Sequence, residues 1–260
     1  MSLHTPPEPQ KRPSSLSASQ RWRSNLLQVP VFALGTALFG SLALFASLWD
    51  HSGRLQHRIA RLWARYSLWC SWSPLTVEGR EHLRVTGPVV YASNHTSYMD
   101  TPVLFASIPG QFRILAKREL WKIPFIGWYL NRSGQIPVDI DTTRAALTSL
   151  SGGVKTLRSG MPVFVFPEGG RTPDGHLQPF MNGAAYLAIR AQVPVVPMAL
   201  SGVYHLLPMH TKHIFPTQLW LRVGAPIDTR GMTVRDTDAL TRQLHSAIDA
   251  LRVEARNVCG

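Results

Sequence analysis

Two hydrophobic patterns divide the chain. Between residues 31 and 49 the sequence VFALGTALFGSLALFASLW carries no charge, and its length is close to the ~20 residues that cross a bilayer. Pro30 immediately before it suits the first turn of a helix. Asp50, His51, Ser52 and Gly53 end the run. In 54–69 a helical period follows: Leu55, Ile59, Leu62, Tyr66 and Trp69 share one face, with Arg54, Arg58, Arg61 and Arg65 as a stripe beside them. This pattern predicts an amphipathic helix in the headgroup layer, its arginines meeting lipid phosphates. Basic residues flank both ends of the apolar run, so loop charge gives no orientation, and a hairpin dipping into one leaflet fits better than a clean span. A buried helix pair in a soluble core is the plainer alternative, but such a pair seldom needs so long a charge-free run.

From residue 75 the chain reads as short apolar runs separated by turn residues. Strands are predicted over 75–78, 89–93, 112–116, 135–138, 163–166, 195–200 and 219–223, and helices over 102–108, 142–158, 182–191 and 236–255. The alternation predicts an α/β fold: a mostly parallel twisted sheet flanked by helices, with an N-terminal two-helix membrane-attachment element. Residues 1–25, rich in Pro, Ser, Gln and Arg, read as a disordered basic tail. Residues 26–72 form the membrane-associated helix pair and 73–260 the α/β domain.

Composition narrows the partners. The net charge is +12, with 45% hydrophobic and 16% charged residues, which implies an acidic partner: nucleic acid, anionic lipid or a phosphorylated substrate. No nucleic-acid-binding motif is present, and the apolar run argues against that class. Cys70 and Cys259 lie far apart without metal-ligand spacing, so neither a disulfide framework nor a zinc site is expected.

Two segments carry candidate chemistry. The strand at 89–93 runs into Asn94, His95, Thr96, Ser97, Tyr98, Met99 and Asp100, with Pro102 opening a helix. Ligands of α/β sheets sit at the carboxyl ends of strands. There Asp100 could accept from one imidazole nitrogen of His95, leaving the other to take a proton from an alcohol. On this pair alone, a helix cap beside an ordinary loop histidine is the stronger reading. The chain offers no competing G-x-S-x-G, H-E-x-x-H, P-loop or G-x-G-x-x-G motif. The strand at 163–166 runs into Pro167, Glu168, Gly169, Gly170, Arg171 and Thr172. The glycines allow a sharp turn and close backbone approach, and Arg171 offers a planar fork for a phosphate. Glu168 could orient Arg171 or a substrate hydroxyl. A tight surface turn with a solvated arginine is the bland alternative.

Together these segments resemble the glycerolipid acyltransferase family, which includes 1-acylglycerol-3-phosphate acyltransferases. The resemblance covers roughly 75–230 and rests on four blocks in the family's order. Asn94, His95 and Asp100 match N-H-x4-D. Lys117, Arg118, Glu119 and Leu120, then Pro124 to Trp128 and Gly134 to Asp139, match the second block. Phe166 to Thr172 match the third, usually written F-P-E-G-T-R, and Val193 to Pro197 match the fourth. The likeness implies His95 as general base and Asp100 as its orienting partner. It implies an acceptor site formed by Lys117, Glu168, Gly169, Gly170, Arg171 and Thr172, with Pro194 and Pro197 shaping the pocket. It also implies acyl transfer from acyl-CoA or acyl carrier protein to the sn-2 hydroxyl of lysophosphatidic acid, with no acyl-enzyme, metal or cofactor. The enzyme would act at the inner membrane, its site facing the cytoplasm. Gly170 stands where the family usually has Thr, and Ile140 where it usually has an acceptor-binding Arg; Arg144 is nearby. These departures keep another lysophospholipid or lyso-aminolipid acceptor open. A non-catalytic lipid-binding protein is the alternative from another class. The cluster Trp121, Ile123, Phe125, Ile126 and Trp128 reads equally as acyl path, lipid contact or core packing.

Overall fold

A computed structural model describes residues 17–50, 52–139, 143–209 and 211–258, excepting the side chains of 143–148 and 253–258. Of the expected disordered tail, residues 1–16 lie outside this description. The remainder is helical: Ser17 and Gln20 form a capping box that starts helix α1 (Ala18–Arg23). A π-helical turn (Ser24–Gln28) leads into α2 (Val29–Ala46). Together Ala18–Ala46 make 29 residues of helix, long and apolar enough to cross a membrane.

The Asp50 carboxylate accepts from the Ser52 and Leu55 N–H groups and so begins α3 (Arg54–Cys70). α3 packs back on α2. The contact is made close by Gly35, where a Cβ would run into the Tyr66 ring. It is fastened by Tyr66 Oη to the Val31 carbonyl (2.5 Å) and Trp63 Nε1 to Thr36 Oγ1 (3.1 Å). The face of α3 turned to the protein is small or polar: Gln56, His57, Ala60, Ala64, Ser67 and Cys70 are buried, while Leu55, Leu62 and Trp69 are exposed. One expectation is corrected here. Arg61 leaves the arginine stripe and turns inward, donating to the carbonyls of Phe105 and Ile108, because those groups at a helix end need donors.

The sheet has seven strands: β1 (Leu75–Glu78), β2 (Val90–Ser93), β3 (Arg113–Lys117), β4 (Ile136–Val138), β5 (Val163–Val165), β6 (Val195–Ser201) and β7 (Leu219–Val223), in the order β1-β7-β6-β2-β5-β3-β4. Pairing is parallel except between β6 and β7. Five adjacent strands therefore share a direction, and their carboxyl ends open on one edge. The remaining helices are α4 (Asp100–Ser107), α5 (Ile126–Arg132), α6 (Thr143–Arg158), α7 (Gly183–Ala191), the single turn α8 (Val203–Leu206) and α9 (Thr237–Val258).

The central strands are apolar on both faces, as a doubly covered parallel sheet requires. Tyr91, Phe164, Val196 and Met198 pack with Val103, Leu104 and Ile108 of the α4 side. Val90, Ala92, Val163, Val165 and Ala199 pack with Leu157, Leu187, Leu240 and Ile248 of α6, α7 and α9. The fourth block builds β6 beside β2, where the Pro194 carbonyl accepts from Val90 N–H. The α/β architecture expected from the sequence is the one observed.

Candidate active site

Three of the parallel strands deliver the candidate residues to the same edge. β2 ends at Ser93, and Asn94 follows, buried. Its side chain bonds both backbone groups of Leu200 on β6: Oδ1 accepts from the N–H at 2.8 Å and Nδ2 donates to the carbonyl at 3.0 Å. That brace fixes the start of the 95–100 turn against the neighbouring strand.

The turn closes on the Asp100 carboxylate, which is fully buried at the first residue of α4. Its Oδ2 lies 2.8 Å from His95 Nδ1 and accepts from the N–H groups of Thr96 (2.6 Å) and Ser97 (2.8 Å). A carboxylate at Nδ1 assigns that nitrogen the proton, leaving Nε2 as the basic one. Among the described residues Nε2 has no hydrogen-bond partner, and the ring is partly exposed. One face of the imidazole stacks on Phe166, centroids 3.8 Å apart and planes inclined by 15°.

The loop after β5 grips the backbone of residue 95 from both sides. Glu168 Oε1 accepts from His95 N–H at 2.6 Å, and Thr172 N–H donates to the His95 carbonyl at 3.0 Å. The other oxygen of Glu168 accepts from Gln178 N–H at 2.9 Å. Burial pushes the Glu168 carboxyl up to about 7, although these two N–H groups, and the charge of Arg252, pull the other way. Thr172 is buried, with its hydroxyl donating to Asp174 and accepting from Gly175 N–H. Gly169 has φ +72°, and a Cβ there would press on Met181 Sδ, so the position demands glycine. Gly170 is different: nothing lies within 4 Å of a Cβ built on it, so the threonine usual in the family would fit, and its loss removes a hydroxyl without straining the turn.

The Arg171 guanidinium lies flat over the Tyr98 ring, 3.6 Å from its centroid, in the geometry of a cation–π contact. Its fork has no carboxylate partner among the described residues. Lys117 ends β3, exposed, on the same edge but two strands from β2, and makes no hydrogen bond to the His95 cluster among the described contacts. Ile140 and the side chain of Arg144 lie outside the described residues. No three His, Cys, Asp or Glu side chains cluster with metal-binding geometry among those described.

The structure brings His95, Asp100, Glu168 and Thr172 into one bonded cluster, with Arg171 beside it; Glu168, expected to orient Arg171 or a substrate hydroxyl, instead places its two oxygens on the N–H groups of His95 and Gln178 because burial leaves those as its partners. Sequence reasoning did not foresee that cluster. It missed Tyr98 under Arg171, Phe166 under His95 and the Asn94 brace. A signal for Tyr98 existed: an aromatic residue inside a polar turn has little local reason to be there.

Residues 74–201, just under half of the chain, match the family model described as Acyltransferase. A chloroplastic 1-acyl-sn-glycerol-3-phosphate acyltransferase of Brassica napus is 34% identical over 172 residues, covering 65% of this chain and 49% of the relative. The human 1-acyl-sn-glycerol-3-phosphate acyltransferase alpha is 34% identical over 178 residues, covering 68% and 63%. The chain thus spans about half the length of the plant relative. Among solved structures, the 1-acyl-sn-glycerophosphate (LPA) acyltransferase PlsC of Thermotoga maritima superposes with a TM-score of 0.77 at 25% identity, covering 91% of this chain and 98% of that one.

Proposed function

We propose that this protein transfers a fatty acyl group from acyl-CoA or acyl carrier protein to the sn-2 hydroxyl of 1-acylglycerol-3-phosphate, giving phosphatidic acid. The observation that carries this reading is the His95–Asp100 pair, aligned by a buried carboxylate and standing in the same turn as Tyr98, which bears the Arg171 guanidinium.

In the proposed reaction Nε2 of His95 removes the acceptor's hydroxyl proton as the oxygen attacks the thioester carbonyl. Asp100 stabilises the imidazolium that forms. The C–S bond then breaks, and the departing thiolate recovers the proton from His95. The oxygen–carbonyl bond forms directly, so no acyl-enzyme arises and no metal or cofactor is called for. Arg171, with Lys117, holds the acceptor's phosphate by charge-assisted hydrogen bonds. Gly170, with nothing near the place of a Cβ, keeps that side of the site open, and Gly169 supplies the left-handed turn beside it. The apolar N-terminal helix holds the protein to the membrane where both lipids reside, with the site on the cytoplasmic face.

His95→Ala tests the chemistry. Acyl transfer to lysophosphatidic acid should fall by roughly 10²–10⁴, with membrane association and fold unchanged. Survival of activity in that variant would remove the catalytic assignment. Another lysophospholipid acceptor is favoured by Ile140 and Gly170, and a panel of acceptors assayed with the membrane-bound protein decides between them.

A further inference from the structure

The segment after β3 settles what its apolar cluster faces. Arg118–Lys122 forms a short 3-10 turn, and Ile126–Arg132 is α5. Between them Phe125 has φ +64° and ψ −50°, a conformation that non-glycine residues avoid and that persists only where its surroundings hold it. Here the holders are backbone bonds, from Gly127 N–H to the Ile123 carbonyl and from Tyr129 N–H to the Phe125 carbonyl. Gly127 also lies so close to the Trp121 backbone that no side chain would fit.

The strained turn turns its bulk outward. Phe125 is 67% exposed and Trp128 58%, their rings in edge contact, and Leu120, Ile123 and Ile126 are exposed beside them. This is neither core packing nor scattered surface leucine. Exposed apolar patches rimmed by polar groups mark interaction sites.

α5 packs beside α2, whose own exposed stripe is Leu34, Leu38, Leu42 and Phe45. Lys117, Arg118, Lys122 and Arg132 are exposed around the segment, against Glu119 within it and Asp139, which pairs with Arg118 at 3.8 Å, so the rim stays net positive. A second copy of this chain, itself at +12, would meet that rim with like charge. An anionic bilayer would meet it with opposite charge, phosphates at the rim and acyl chains under the aromatics.

We infer that the Phe125–Trp128 turn is a second membrane-inserting element, independent of the N-terminal helices, that docks into an anionic phospholipid bilayer and turns the carboxyl edge of the sheet toward it. The inference deepens the reading of this protein as a membrane acyltransferase and rests on it for its purpose. β3 ends on the same edge as β2 and β5, so a loop anchored there brings the mouth of the site to the lipid.

The test uses the full chain carrying one environment-sensitive fluorophore, with Cys70→Ala and Cys259→Ser removing the native thiols. The label is placed at Phe125→Cys or, as control, at Arg230→Cys, which is exposed beyond β7 at the opposite edge. The probe surface is a vesicle of phosphatidylglycerol and phosphatidylcholine, with brominated phosphatidylcholine as quencher. At 125 the label should lie roughly 5–10 Å below the headgroup boundary, quenched at least about twofold by bromolipid; at 230 it should remain aqueous. A label at 125 as wet as that at 230, on vesicle-bound protein, overturns the inference. So does shielding without vesicles that grows with protein concentration, which would mean a second copy. Acyl transfer measured on the same samples separates the readings: active protein with a wet label defeats only the inserting turn, and inactive protein with a quenched label sustains the turn and defeats the enzyme assignment. In unlabelled protein, Phe125→Ser with Trp128→Ser should lower transfer on vesicles several-fold while sparing transfer to a water-soluble short-chain acceptor. Equal loss on both acceptors would make the turn part of the site itself and overturn its role as an anchor.

Discussion

His95 is held at four points: Asp100 at Nδ1, Phe166 against the ring, Glu168 at its N–H and Thr172 at its carbonyl. Each removes a way for the imidazole to drift from one geometry, and such positional restraint is a large part of what the general-base role proposed for His95 requires. Arg171 is held more lightly, by the Tyr98 face alone among the described contacts. Tyr98→Ala should raise the acceptor KM by roughly 2- to 30-fold with little change in kcat, and Tyr98→Phe should restore it, because the ring face and not the hydroxyl carries the contact. A fall in kcat with KM unchanged would show that the ring serves the His95 turn instead. Glu168 gives a pH signature. Burial makes its folded carboxyl hold a proton more tightly than the unfolded one, about 7 against 4.5. The stabilising effect of that proton is fully present below pH 4.5 and is lost as pH rises through about 7. Glu168→Gln should delete this component, which the two values bound at roughly 3 kcal/mol, and stability measured by urea denaturation across that pH range reads it directly.

At the scale of elements, the turn at residues 95–100 depends on a bond between strands. Asn94 caps the end of β2 by bonding both backbone groups of Leu200. Asn94→Ala leaves a buried donor and a buried acceptor without partners, and should cost about 2–4 kcal/mol, seen as a lowered Tm. Activity should fall further than stability alone explains, because the turn that presents His95 begins at that residue. The strands and most helices were legible in the sequence to within a residue or two, since their signals are local: period-2 and period-3.6 patterns bounded by turn residues. The short pieces were not. α5, α8 and the 3-10 turn before α5 lack enough periods to register, and their shape follows from what packs against them. The inward turn of Arg61 was hidden for the same reason, since its partners at 105 and 108 belong to another helix.

Taken whole, the molecule does not separate into an anchor and an enzyme. Ala60 and Ala64 of α3 are buried within the core cluster that contains Tyr91, Met99 and Phe164, and Val29, Phe32, Trp63 and Leu68 pack against it. Removing residues 1–72 would open that face of the sheet to water. The truncated chain should be recovered as aggregate, without a cooperative unfolding transition in circular dichroism. A soluble, cooperatively folded product would show instead that the helix pair is a detachable tether. The helix pair is thus also a wall of the core, which ties the orientation of the candidate-site edge to the helix long and apolar enough to cross a membrane.

The order of apolar and polar residues determined the α/β class and the strand positions, and set His95 and Asp100 five residues apart in one turn, because each depends on neighbours in the chain; that the two bond was read from the structure. Contacts across the sequence were decided only by the tertiary structure. Strand order set β5 beside β2, and so brought Glu168 and Thr172 onto the backbone of a residue more than seventy positions earlier. The same packing left Phe125 and Trp128 in the open and folded Arg61 away, since whether a side chain meets solvent, lipid or protein depends on which elements cover it.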